Sequence, residues 1–458
     1  MIGSLASILL SILLGCLLVY RFAGLTMLRP RWAGWLLVSG AGTGLGIALT
    51  SCLFFILSLI GVPHLALWIR LALLAAVGYG CWRNPQPPGL PETGRRYAYT
   101  PLLWIVFAAA LLFLTYGMSA AWDATPHGIW DAWAIWNLRA KFLVAGDGLI
   151  SRAWSPKLDF THPEYPLLLS SFIASSWMDG GSLAPEAPIA TSYLFFLALL
   201  FIVTGGVAVL RGPILGLLAG ICLMGIPRLL AEVPAQYSDI PLACFLAGAV
   251  LFALLDRPVV SGAMAGSAAW TKDEGLLFLA ILVAAVALLK RRNLLRTCYG
   301  AAPVGALALI FKLVIARETH TMVYHAQSSL SQKLFDFSRY QTIGSAMGQE
   351  IFTWNVGWYH PLLPLAILLA ALRIDRRHFR DTLFCAAITF TLLLGYFGAY
   401  VITPADLQWH IGSSLTRLFV QLSPLLLISV FAAMRAPEPA VVAATVPPNP
   451  GLHRKAQR

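Results

Sequence analysis

The sequence predicts an all-α, polytopic membrane protein of about 13 transmembrane helices, and three observations predict it. Of 458 residues, 59% are hydrophobic and only 11% are charged, against roughly 25% charged in a soluble domain. The mean hydropathy is +0.76. Apolar runs near the length a bilayer requires, about 20 residues, follow one another with short basic clusters between them. The net charge of +12 does not indicate nucleic acid, because Lys and Arg fall in those clusters and form no single amphipathic face. Orientation in a membrane accounts for them.

In chain order the expected helices are 3–20, 35–60, 64–82, 101–121, 188–210, 212–229, 239–255, 258–272, 275–290, 299–316, 351–372, 381–402 and 412–434. The first has no basic region ahead of it and no small-residue cleavage site, so it reads as a retained span and not as a signal peptide. If each helix crosses once, the clusters Arg21/Arg29/Arg31, Arg83/Arg95/Arg96, Lys290/Arg291/Arg292/Arg296, Arg373/Arg376/Arg377/Arg380 and Arg435/Arg454/Lys455/Arg458 share one face. The positive-inside rule makes that face cytoplasmic. Of the 20 acids, only Glu92, Asp256, Asp375, Asp381 and Glu438 join it, so polar chemistry is expected outside. Arg70, six residues into its span, is expected to snorkel outward.

The segment 165–178 is apolar enough to cross, yet a crossing there would invert every later basic cluster. A helix this short is expected to lie at the interface, with Tyr165 and Trp177 at headgroup level. The chain then divides into N-terminal accessory helices (1–100), a core (101–316) with an outer loop at 122–187, a second outer loop with the C-terminal helices (317–434), and a disordered cytoplasmic tail (435–458). The second loop carries Glu318, His320, Tyr324, His325, Gln327, Lys333 and Arg339.

The stretch 122–166 is long, polar and rich in aromatics, and long loops in compact membrane proteins usually carry function. Four polar segments reach the outer face: Asp123/Asp131 with Arg139 and Lys141, Glu232/Asp239, Lys272/Asp273/Glu274, and Asp406/His410/Arg417. Ionisable groups at membrane helix ends are costly unless paired or functional, and the shared side suggests one common site. Asp131 is a candidate base, against the plainer reading of a helix cap or an ion pair with Arg139 or a neighbouring base.

Lys272 and Arg417 are candidates to hold a phosphate, together with His410 and Arg139, against the plainer reading of snorkelling side chains. His410 and Arg417 are seven apart, which puts them on one face of a helix. Asp239, Asp273, Glu274, His162 and Glu164 are candidates for an acceptor or a divalent cation, although no spacing matches a dedicated metal motif. Trp122, Trp130, Trp133, Trp136, Trp154, Tyr165, Trp354, Trp358, Tyr359 and Trp409 are expected to form an interfacial belt, a subset being open to sugar stacking. The seven cysteines lie in apolar runs without metal or redox spacing and read as small buried residues.

The succession WDAWAIWNLRAKFLVAGD, HPEYPLLL and YSDIPLACFL resembles the GT-C glycosyltransferases. The likeness is to the family 39-like group of protein O-mannosyltransferases and lipid A aminoarabinose transferases. It covers about residues 101–290. Asp131 matches that group's loop acid, HPEYPLLL its Pro-containing interfacial segment, and Asp239 its later acid. WDAW stands where many members show paired acids, so the base stays open between Asp131 and Asp123. The resemblance implies a polyprenyl-phosphate-linked sugar as donor and a glycan, lipid or protein acceptor on the outer face of an inner or plasma membrane. The rivals are a polysaccharide polymerase or ligase using a lipid pyrophosphate, centred on the 317–350 loop, and a transporter.

Overall fold

The computed structural model describes residues 2–24, 28–85, 100–146, 150–316, 330–353 and 374–435. Helices run through all of these segments and no strand occurs among the described residues. The expected helix 351–372 falls almost wholly outside them. So do Glu318, His320, Tyr324, His325, Gln327, Trp354, Trp358, Tyr359 and the tail beyond Arg435.

The helices are α1 Ile2–Ala23, α2 Arg31–Leu59, α3 Leu65–Arg83, α4 Thr100–Ala124, α5 Asn137–Ala145, α6 Leu168–Gly180 and α7 Glu186–Arg211. They continue as α8 Pro213–Met224, α9 Pro227–Ala235, α10 Asp239–Leu254, α11 Pro258–Thr271, α12 Asp273–Leu289 and α13 Leu294–Ile310, then α14 Leu330–Phe335, α15 Phe337–Thr353, α16 Phe379–Ile402 and α17 Leu407–Ala433. Eight of the described helices are long and apolar enough to cross a membrane: α1, α2, α3, α4, α7, α13 with its flanks, α16 and α17. The α8–α9 pair makes a ninth if it is one span broken by a 64° bend. The bend follows from Gly225 and from Ile226, whose extended backbone (ψ 97°) precedes Pro227, since a residue before proline is pushed out of the helical region.

One apolar core runs from α1 and α2 through α17. At its centre α10 is buried along its entire length, as expected of a helix that is apolar all round. The outer helices α3 and α4 bury little and leave Trp68, Ile105, Leu112, Phe113 and Tyr116 exposed, a surface suited to lipid and not to water. Without a hydrophobic drive between helices in lipid, close contact depends on small residues. At the α1–α2 crossing Gly15 faces Gly42 and Gly46, and a β-carbon on Gly15 would overlap the Gly42 carbonyl.

Two sequence expectations are corrected. The segment expected at the interface forms α6, which packs against α1, α2, α5 and α7 and is buried from Leu168 to Trp177. Trp177 is 3% exposed and its Nε1 donates to Ala184 O at 2.8 Å, so protein encloses it. Ser170, Ser171, Ser175 and Ser176 give α6 small faces that let neighbours approach on several sides. Arg70 does not snorkel: it is fully buried and ion-paired with Asp179 at the end of α6. Its Nη1 also donates to Ser7 Oγ and Ser11 Oγ on α1, at 3.1 and 3.0 Å.

Candidate active site

Three helix ends and the body of α17 converge on one charged cluster. Asp239 opens α10, where the helix dipole favours an acid, and it is fully buried. Lys272 is the single extended residue (φ −162°, ψ 161°) between α11 and α12. Arg417 projects from α17, and Asp131 precedes a π-helical turn, Ala132–Trp136, that leads into α5. Such turns recur at functional sites.

Asp239 is the hub. Its Oδ2 accepts from Arg417 Nε at 2.9 Å and Nη2 at 2.7 Å, and its Oδ1 accepts from Gln421 Nε2 at 2.5 Å and Lys272 Nζ at 3.1 Å. Arg417 Nη2 also reaches Asp131 Oδ2 at 2.6 Å, and Lys272 Nζ also reaches Glu274 Oε1 at 3.1 Å. The guanidinium rests 4.4 Å from the centre of the Tyr237 ring, a favourable seat for a cation. Tyr396 OH donates to Gln421 Oε1 at 2.7 Å and fixes the amide. Asp131 and Arg417 retain 12% and 13% side-chain exposure against none for Asp239, so these two keep some access to solvent.

Local backbone contacts hold the acids in register. Ile129 N donates to Ala235 O at 3.2 Å and Gln236 Nε2 to Pro126 O at 3.0 Å, tying the Asp131 segment to the turn before Asp239. Gly128 has φ +71°, and a β-carbon there would lie 2.6 Å from Ala235 O. Only glycine fits.

A second group lies alongside. Lys312 Nζ bonds Asp273 Oδ2 and Glu164 O, both at 2.9 Å. His162 Nδ1 is 3.3 Å from Glu164 Oε1. The His162 ring stacks on Tyr165 at 4.8 Å and Tyr165 on Trp136 at 5.8 Å. Burial opposes the Glu164 charge, but the His162 hydrogen bond and charge and the Lys312 charge outweigh it, holding the carboxyl below its ordinary range. Burial, followed by Glu274, Asp273, Glu164 and Asp131, drives the Tyr165 phenol well up.

Of the candidates, Asp131, Asp239, Lys272, Glu274 and Arg417 come together, with Asp273, Glu164 and His162 beside them. His410 sits on the same helix as Arg417. Its Nδ1 meets Thr403 Oγ1 at 2.8 Å, and Glu274, His162 and Lys272 all act on it electrostatically. Asp123 ends α4 in an exposed position, and Lys141 is exposed. Asp406 caps α17 through Trp409 N at 2.8 Å.

Arg139 is not in the cluster. It is 2% exposed inside the loop region, where Nη2 donates to Thr161 Oγ1 at 3.0 Å, and burial lowers its pKa to about 10 against the opposing Glu164 charge. Its expected Asp131 partner is taken by Arg417. The aromatics divide as well: Trp130, Trp133 and Trp409 are about half exposed or more, whereas Trp136 is buried in the core. No group of three or more His, Cys, Asp or Glu suited to a metal occurs among the described residues.

Sequence reasoning missed Gln421, Tyr237, Tyr396 and Lys312. Gln421 was accessible to it, as a lone amide one helical turn after Arg417 in an apolar run. An almost wholly apolar cavity of about 330 Å³ lies between α15, α16 and α17, lined by Ile351, Phe390, Phe419, Leu422 and Leu426 among others, close in sequence to Arg417 but outside the charged cluster. No family model, curated protein or solved structure matches the chain. Fold and site together define a multi-pass helical membrane protein with a buried charged centre.

Proposed function

We propose that the chain is an integral membrane glycosyltransferase of the GT-C class. It moves a sugar from a polyprenyl-phosphate donor to an acceptor at the outer face of the inner or plasma membrane. The observation that carries the reading is the convergence of Asp131, Asp239, Lys272 and Arg417 from four separate segments. Arg417 and Lys272 are neighbouring cations on one buried acid, suited to a phosphate oxygen. Asp239 holds both in place, and Asp131 stands at the more exposed side of Arg417. The apolar cavity against α17 suits a lipid chain whose phosphate lies at Arg417.

In this reaction the acceptor O–H bond breaks and its oxygen bonds the anomeric carbon. The bond from that carbon to the phosphate oxygen breaks, its electron pair leaving on the lipid phosphate. The thirteen-crossing topology, with the basic clusters inside, belongs to the same reading. An impermeant thiol reagent should label a cysteine introduced at Thr125 from the outside only. The purified protein, given a panel of polyprenyl-phosphate sugars, is expected to consume one and release free lipid phosphate; consumption of none rejects the assignment.

The broken α8–α9 pair, with Glu232 buried beside the cluster, favours a second reading, a transporter. Counterflow of a labelled solute in proteoliposomes without lipid donor would support it over the first.

A further inference from the structure

An acceptor hydroxyl must lose its proton, and the Asp131 oxygen nearest the donor-binding cation is engaged with Arg417 at 2.6 Å. We infer that His162, oriented by Glu164, is the base that takes this proton, while Asp131 holds the outer nitrogen of Arg417. The inference rests on the transferase reading.

Four observations point to the imidazole. First, the Glu164 carboxylate, its side chain only 9% exposed, faces His162 Nδ1 at 3.3 Å. An anion there accepts, so Nδ1 carries the hydrogen and the lone pair stands on Nε2. Second, Nε2 has no protein partner among the described residues, and the side chain is 37% exposed. Third, the ring plane is fixed, being stacked within 11° of Tyr165, which is itself stacked within 16° of the buried Trp136.

Fourth, His162 has φ +50°, held by Tyr165 N donating to His162 O at 3.1 Å. A left-handed non-glycine residue is uncommon and such strain gathers at active sites. A carboxylate, an imidazole with one nitrogen oriented and the other free, and a fixed ring plane are the parts of a general-base pair.

The imidazole shares electrostatic neighbours with the donor centre. Asp131 and Glu274 act on Tyr165 directly beneath it, and both His162 and Lys272 act on His410. Glu164, Tyr165 and His410 bear on the imidazole itself, and Lys312, Asp273, Glu274, Asp131 and Lys272 bear on those three. In the step, the hydroxyl proton moves to Nε2 as the oxygen–carbon bond forms and the phosphate departs onto Arg417 and Lys272. The imidazolium then releases its proton to solvent at its exposed edge.

The test is His162→Gly, which suits the φ of +50° and leaves a space the size of the lost ring. Transfer is expected to fall by about 10²- to 10⁴-fold, the usual worth of a general base, and to recover in part on adding imidazole, which leaves the native protein unchanged. A measurement without substrate accompanies it: diethyl pyrocarbonate, with adducts mapped by mass spectrometry, is expected to modify His162 in the folded protein, and Glu164→Gln to alter that rate. If the native protein consumes donor while His162→Gly keeps its rate, or is not restored by imidazole, the base assignment is overturned and the transferase reading stands. An unreactive His162 overturns it as well. A native protein that consumes no donor overturns both.

Discussion

Replacing Asp239 with Asn should destabilise the protein far more than replacing Asp131 with Asn, although both are expected to slow sugar transfer. Asp239 is fully buried and accepts four hydrogen bonds, three of them from Arg417 and Lys272. Removing one member of a buried ion pair costs about 3–5 kcal/mol, because the remaining charge is left uncompensated. Here each cation keeps a second acid, Asp131 for Arg417 and Glu274 for Lys272, so Asp239→Asn belongs at the low end, about 3 kcal/mol. Asp131 makes one ion pair, and its loss leaves Arg417 bound to Asp239. That change is expected to cost about 1 kcal/mol. Unfolding of the purified variants by SDS in mixed micelles, followed by tryptophan fluorescence, measures both. Equal costs, or a larger cost for Asp131→Asn, would refute the assignment of Asp239 as the hub.

Three other outcomes follow from the same geometry. Tyr396→Phe removes the hydroxyl that holds Gln421 against Asp239, so it should cost about 1 kcal/mol and raise the KM for lipid donor more than it lowers kcat in steady-state assays. Gly15→Val drives a branched side chain into the Gly42 carbonyl and should destabilise the α1–α2 pair by about 1–3 kcal/mol, as overpacking does, read as a lower SDS midpoint. The Glu164 carboxyl is held below its ordinary range, so its contribution to stability is complete above that range and fades as pH falls through the depressed value. Acid unfolding of the native protein should therefore show a step that Glu164→Gln lacks.

The helices were largely legible because apolar run length is a direct physical signal: α1, α2, α3, α4, α7 and α17 lie within a few residues of the expected spans. The fate of 165–178 was not legible. Hydropathy reports that a segment avoids water, but it does not say whether lipid or protein covers it, and only packing shows that α6 is enclosed by α1, α2, α5 and α7. In the site, the acids and bases Asp131, Asp239, Lys272 and Arg417 could be picked out because charge at a membrane helix end is expensive. Their partners were another matter. The pairing of Arg417 with both acids depends on contacts 178 and 286 residues apart in sequence, whereas Arg139, eight positions from Asp131 in the chain, is held elsewhere by Thr161.

Arg70 shows how the first three helices are joined to the rest. Its guanidinium links α3 to Asp179 at the end of α6 and to two serines of α1, and Ser7 Oγ donates to the same carboxylate at 2.6 Å. Thr50 of α2 adds a bond to Ser11 at 2.9 Å. Charges buried this deeply bind strongly only while both are present: removing one leaves the other stranded, whereas replacing both by apolar side chains is often neutral or better. Arg70→Met and Asp179→Leu should each cost about 3–5 kcal/mol, and the double variant clearly less than either. SDS unfolding of the four proteins gives the coupling. If the double variant loses the sum of the single costs, the two residues act independently, and α1–α3 are held to α6 by apolar packing alone.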